Sequence, residues 1–117
     1  SFTVHPVGNF SQPMFGGKES TLVNCNSFLL KHLLLNIQNL VASEKYGLTY
    51  NYEVSLEVTH HGPFTTNSVA FIEVGSSMDQ WQDLEACHLI ADAVNNMDFR
   101  HDFIDNDWKS VVGFGGL

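Results

Sequence analysis

Positive charge is the scarcest property of this sequence. Five lysines and arginines face thirteen aspartates and glutamates in 117 residues, a formal charge of −8. That balance repels phosphate backbones at long range and argues against a free-standing nucleic-acid module of the usual basic kind. Cysteine is nearly as scarce. Cys25 and Cys87 form no CxxC motif and neither lies near a histidine pair, which fits a reduced, cytosolic chain and leaves a single disulfide open. Long apolar runs are missing too. Phe28 to Val41 comes closest, but Lys31 and His32 interrupt it, so no membrane span is expected. The apolar content of 44% is ordinary for a globular protein and excludes disorder of the highly charged kind.

What is present centres on Glu57-Val58-Thr59-His60-His61-Gly62-Pro63. It closes an alternating run, Tyr50 to Thr59, whose Tyr52, Val54, Leu56 and Val58 face one way and whose Glu53, Ser55, Glu57 and Thr59 face the other. Gly62 and Pro63 end the strand. Histidine is the side chain most readily poised near neutral pH and the commonest metal ligand. Strict alternation would point the two imidazoles apart, so a bend at Gly62 is needed to bring them to one centre.

The rest of the chain reads as α/β. Phe2-Thr3-Val4 is a short strand ended by His5-Pro6, and residues 7–17 form a loop whose glycines allow close backbone approach to a ligand. Residues 24–46 form a long helix, capped at Asn26 or Ser27 and stopped by Gly47, with a stripe of Leu29, Leu30, Leu33, Leu34, Ile37, Leu40 and Val41 that Leu35 widens. Lys45 in its last turn suits the helix dipole. Ser68 to Val74 is apolar on both faces, as in a central strand, with Glu73 near its end. A buried carboxylate there must be paired, protonated or bound to a cation. Ser77 and Gln80 open a second helix running to about Asn96, with Trp81, Leu84, His88, Ala91 and Val94 as its inner stripe. Residues 97–107 read as an acidic surface loop and Trp108 to Phe114 as a last strand. The order predicts a mixed sheet with helices on both faces. If the strands run parallel, His5, His60, Glu73 and Gly115 meet at one sheet edge; if residues 50–59 and 68–74 form a hairpin, Glu73 drops out. The Ser1 start and the glycine-rich end suggest a single α/β domain, residues 1–117, that is a fragment of a longer hydrolase.

Several segments together resemble the D-aminoacyl-tRNA deacylases of the archaeal and plant type. They are Thr3-Val4-His5-Pro6-Val7-Gly8-Asn9, Phe15-Gly16-Gly17, residues 54–63 with their Glu57-Val58-Thr59-His60-His61-Gly62-Pro63 core, Phe71-Ile72-Glu73-Val74-Gly75-Ser76 with Trp81, and Val112-Gly113-Phe114-Gly115-Gly116. The resemblance implies a phosphorylase/hydrolase-like fold and a zinc-associated enzyme. It also implies hydrolysis of the ester joining a D-amino acid to the tRNA 3′ end, with D-aminoacyl-tRNA as the partner of a monomer or weak dimer. Members of the family are considerably longer and continue after the glycines into a Gly-His-Tyr-x-Pro-Arg segment, where this sequence has Leu117.

Ester hydrolysis needs an activated water and a group that stabilises the oxyanion, and zinc supplies both. His5, His60 and His61 are the candidate ligands, with Glu57 or Glu73 as carboxylate ligand or general base. A metal-free version uses a histidine as base and backbone amides of the glycine loops for the oxyanion. Gly16, Gly17, Thr59, Gly62, Gly115 and Gly116 are the candidate substrate-binding positions. Two other classes stay open: a non-catalytic or degenerate binding module, and a metal-dependent amidohydrolase or peptidase acting on small substrates.

Overall fold

A computed structural model describes residues 1–13, 15–97 and 109–114. Three strands form the main sheet: β1 (Phe2–His5), β4 (Val54–Leu56) and β5 (Phe71–Val74), in the order β4-β1-β5. β4 runs parallel to β1 with Val4 opposite Leu56, and β5 runs antiparallel to it with Thr3 opposite Glu73 and His5 opposite Phe71. A short ribbon, β2 (Gly8–Asn9) with β3 (Thr21–Leu22), follows β1. Helix α1 (Ser27–Ala42) then completes the crossover that a parallel β1–β4 pair requires. After β5 come α2 (Met78–Trp81) and α3 (Leu84–Asn95). The expected α/β class with a mixed sheet is what the structure has.

Alternation along β1 divides the molecule. Phe2 and Val4 are fully buried among Leu33 and Ile37 of α1 and Ala86, Leu89 and Ala93 of α3, with Tyr52 and Met97. Burying a side chain such as Phe2, Ile37 or Leu89 is worth about 1.5–3 kcal/mol each. Helices were expected on both faces; the two long ones among the described residues share this one. Thr3, His5 and Glu73 lie on the opposite face, the one left for chemistry.

Several expectations are corrected. Helix α1 starts at Ser27, capped by the Asn26 side chain, which accepts from Phe28 N at 2.9 Å. It ends at Ala42, and the left-handed residue after it is Glu44, φ 53°, not Gly47. Leu35 is exposed, so the stripe faces one side. Lys45 lies 3.5 Å from Asp92, tying the helix end to α3 instead of serving the dipole. The strand expected over residues 50–59 is ordered only at Val54–Leu56; β4 is a sheet edge, and Leu56 and Val58 are exposed. Residues 109–114 form no strand, and Trp108 lies outside the described residues. Met97, assigned to a surface loop, is buried in the core; the rest of that segment is not among the described residues. Both cysteines are free, so no disulfide joins them.

The second helix is broken at Asp83, and the break moves its buried face. Ala86, Leu89 and Ala93 point inward, while Trp81, Leu84 and His88 are exposed. Asp83 is itself buried. One oxygen caps α3, accepting from Glu85 N at 3.1 Å and Ala86 N at 3.3 Å; the other accepts from Thr49 N at 3.1 Å and the Tyr52 hydroxyl at 3.0 Å. Burial pushes its carboxyl up, but the four hydrogen bonds outweigh it and hold the pKa below the usual value. Burial, with Asp83 beside it, pushes the Tyr52 hydroxyl up. Asp83→Ala removes a cap and leaves buried donors unmet, so urea unfolding at neutral pH should show a loss of about 3 kcal/mol. A carboxylate with a lowered folded pKa stabilises fully above its unfolded pKa and loses that contribution as pH falls through the folded value. The gap between wild type and variant should therefore narrow as the pH falls below about 4.

Candidate active site

The chain reaches the site three times. β1 delivers His5 at its end. The segment leaving β4 stays beside β1: Glu57 N donates to Val4 O at 3.1 Å, and His60 forms a parallel bridge with Val7. Gly8 N then donates to His61 O at 2.9 Å, pinning the histidine pair to the first loop. Residues 57–70 next cross the end of β1 to reach β5, which returns antiparallel with Phe71 opposite His5. Glu73 sits two residues further on, on the same face, and reaches His5 diagonally. Neither the parallel arrangement nor the β4–β5 hairpin expected from sequence occurs, and Glu73 joins the site by this third route.

The bend that gathers the imidazoles lies one residue earlier than expected, at His61 itself. Its φ of 45° is in the left-handed region, unusual for a residue with a side chain. Holding such a conformation costs on the order of 1–3 kcal/mol, and such outliers concentrate at active sites and ligand clamps. The result is a three-ring cluster. His5 stacks on His60 at 4.3 Å between centroids, while His61 stands edge-on to His5 at 5.1 Å and to His60 at 4.5 Å. Phe71 packs on His5 and His61 at 5.6 and 4.8 Å. Its place opposite His5 was not foreseen, because the order of strands in the sheet is not written in local sequence.

Hydrogen bonds set the state of all three rings. His5 Nδ1 lies 2.7 Å from Pro6 O, His60 Nδ1 lies 2.7 Å from Val58 O, and His61 Nδ1 contacts Gly62 O. A carbonyl only accepts, so each Nδ1 carries the proton and each Nε2 of the neutral ring presents a lone pair. Those lone pairs face carboxylates. His5 Nε2 is 3.3 Å and His61 Nε2 3.7 Å from the same Glu73 Oε1, and His60 Nε2 is 3.7 Å from Glu57 Oε2. Acceptor facing acceptor needs a proton or a cation between them. One ligand atom from each of His5, His60 and His61 lies within 4.8 Å of the others, and the same holds for His5, Glu57 and Glu73. Burial grades outward: His5 is wholly buried, His61 is 16% exposed and His60 is 43% exposed at the side chain, so the cluster opens to solvent through His60.

Two cavities flank the histidine loop. One, about 320 Å³, is lined by His60 and His61 with Gly8, Phe10, Phe15 and Thr59 among others. The second, about 520 Å³ and largely apolar, takes in Glu57, Thr59, Leu22 and Leu56. Thr59 borders both. Gly16 and Gly17 lie against Gly62, whose missing side chain makes that approach possible, and Phe64 N donates to Gly16 O at 3.3 Å. Gly115 and Gly116 are outside the described residues. Of the other histidines, His88 is exposed and 3.6 Å from Glu85 on α3, apart from the cluster.

Comparison with known proteins points the same way as the cluster. The profile of the family described as D-aminoacyl-tRNA deacylase matches residues 1–117. Proteins of that name from Staphylothermus marinus, Archaeoglobus fulgidus and Methanococcus vannielii are 41%, 34% and 35% identical, over 99%, 98% and 99% of this chain. The matched regions are 41%, 39% and 46% of those proteins, so the chain spans about two-fifths of the length of the relatives it matches.

Proposed function

We propose, from the premise that this chain belongs to the D-aminoacyl-tRNA deacylase family, that it carries the water-activating cluster for hydrolysis of the ester between a D-amino acid and the tRNA 3′ end. The observation that carries this reading is the cluster itself: a ligand atom from each of His5, His60 and His61 lies within 4.8 Å of the others, and Glu73 Oε1 lies 3.3 Å from His5 Nε2 and 3.7 Å from His61 Nε2. With five cations in the chain, contact with the nucleic acid here is confined to its aminoacylated end.

The donor set suits a zinc ion. Each imidazole gives its Nδ1 proton to a carbonyl, the arrangement that orients metal-ligating histidines, and the three Nε2 atoms supply the ligands of a catalytic site that leaves a position open. When bound, the ion supplies Lewis acidity and lowers the pKa of a water to about 7. The chain's own groups do the rest. Glu73, whose Oε1 faces the Nε2 atoms of His5 and His61, would balance the positive charge held between them. Glu57, half-exposed beside His60, accepts the proton of the attacking water and passes it to the leaving 3′ oxygen. Thr59, between the two cavities, offers a hydroxyl to the substrate. Gly16, Gly17 and Gly62 fix the loop that presents His61. In a metal-free version His60 Nε2 takes the proton and Glu57 stabilises the imidazolium.

Deacylation of D-aminoacyl-tRNA by the full-length protein, before and after exhaustive chelation, tests the reading. Turnover should vanish on chelation and return with added zinc, and metal analysis of the purified protein should find zinc. Turnover that survives complete removal of the metal would leave His60 as the base. A wild-type protein that turns over no D-aminoacyl-tRNA would fit the binding-module alternative.

A further inference from the structure

Two exposed phenylalanines stand at the mouth of the cavity beside the histidines. Phe10 is 72% and Phe15 81% exposed. Single exposed apolar residues are common and need no explanation. These two, however, line the same 320 Å³ cavity as His60 and His61. Phe15 has a φ of 51°, a left-handed conformation uncommon for a bulky residue. That backbone turns its ring edge-on to His61, 6.5 Å between centroids. In a chain of net charge −8, none of the described residues lining this cavity is acidic. Ser11 and Gln12 add hydrogen-bonding groups to its wall.

We propose that Phe10 and Phe15 form a stacking platform for the terminal adenine of the tRNA 3′ end, seating the adenosine in this cavity so that its esterified ribose meets His60 and His61. The inference rests on the deacylase reading and adds to it the residues that grip the nucleoside. Aromatic stacking suits a chain with so few cations, because it draws on the π-face of the base and not on phosphate charge. A cavity of this size falls within the range that holds small ligands, and Ser11 and Gln12 offer partners to the base edge or the ribose.

Steady-state kinetics of the full-length protein on D-aminoacyl-tRNA test the platform. Phe15→Ala and Phe10→Ala should each raise KM about tenfold with kcat little changed, the scale of one lost stacking contact. Phe15→Tyr, which keeps the ring, should stay near wild type. The trinucleotide rCCA, titrated by NMR, should perturb residues 8–15 and 59–61 and bind about tenfold more weakly to Phe15→Ala. Unchanged KM in both alanine variants, a loss confined to kcat, or rCCA signals away from this cavity would overturn the platform while the deacylase reading stood. Absence of turnover by the wild-type protein would instead remove the deacylase reading, and rCCA binding would then decide the platform separately.

Discussion

If the proposed deacylase reaction runs at this cluster, His61→Ala should lower the turnover of D-aminoacyl-tRNA by the full-length protein at least about a hundredfold, the scale for losing a group that holds or moves the reacting proton. The expectation follows from position. His61 is the ring that shares Glu73 Oε1 with His5 while standing edge-on to both His5 and His60. Removing it takes one of three lone pairs from the cluster and leaves Glu73 with His5 alone. His60→Ala, which removes the ring nearest solvent and the partner of Glu57, should lose a similar factor. The losses should appear without unfolding. Alanine at residue 61 keeps the left-handed backbone and loses ring contacts with Phe71, His5 and His60 that lie outside the hydrophobic core, so thermal denaturation should move by only a few degrees. His88→Ala is the matched control: an exposed histidine beside a glutamate, on α3, outside the cluster. Near-normal rates in both cluster variants would remove the pair from the mechanism.

The same cluster shows where local sequence stops being informative. The leucine stripe of α1 was legible because its period is a property of neighbouring residues. Asn26 as its cap was legible for the same reason. The loop containing Gly62 and Pro63 was legible as a stop, and the histidines before it as a pair to be brought together. How the imidazoles converge was not. Alternation predicted divergence, but it governs continuous strand, and the β1–β4 ladder ends at Leu56 and resumes only as the single bridge of His60 to Val7. Beyond that point the left-handed turn at His61 sets the direction. Glu73 posed a different problem. Its place depends on β5 lying next to β1 and running against it, a tertiary choice made by the buried face of Phe2, Val4, Ile72 and Val74. The second helix was misread because it breaks at Asp83, whose carboxylate caps α3 with one oxygen while the other accepts from Thr49 and Tyr52, distant in sequence.

Gly62→Ala is expected to damage the protein twice over, in stability and in rate. A Cβ built at residue 62 would lie 2.7 Å from Gly16 C and from Gly17 Cα, and closer still to Gly17 N. All are backbone atoms. A flexible side chain could swing away from such a contact, but here the whole 16–17 segment must retreat or the histidine loop must lift. Overpacking of this kind costs about 1–3 kcal/mol, and a rigid backbone neighbour puts the cost at the upper end. The rate should fall further than the stability. His61 adjoins residue 62 and gives its Nδ1 proton to Gly62 O, so a shift of the loop moves the ring and weakens the contact that fixes its tautomer. Misplacing a reacting group by about 1 Å can cost a hundredfold. Gly47→Ala provides the comparison, since nothing lies within 4 Å of its Cβ position. It should unfold at the wild-type urea concentration and retain the wild-type rate. A Gly62→Ala protein with unaltered unfolding midpoint and unaltered turnover would mean that the two loops do not touch in solution. His61 would then be held in place by something other than the backbone of residues 16 and 17.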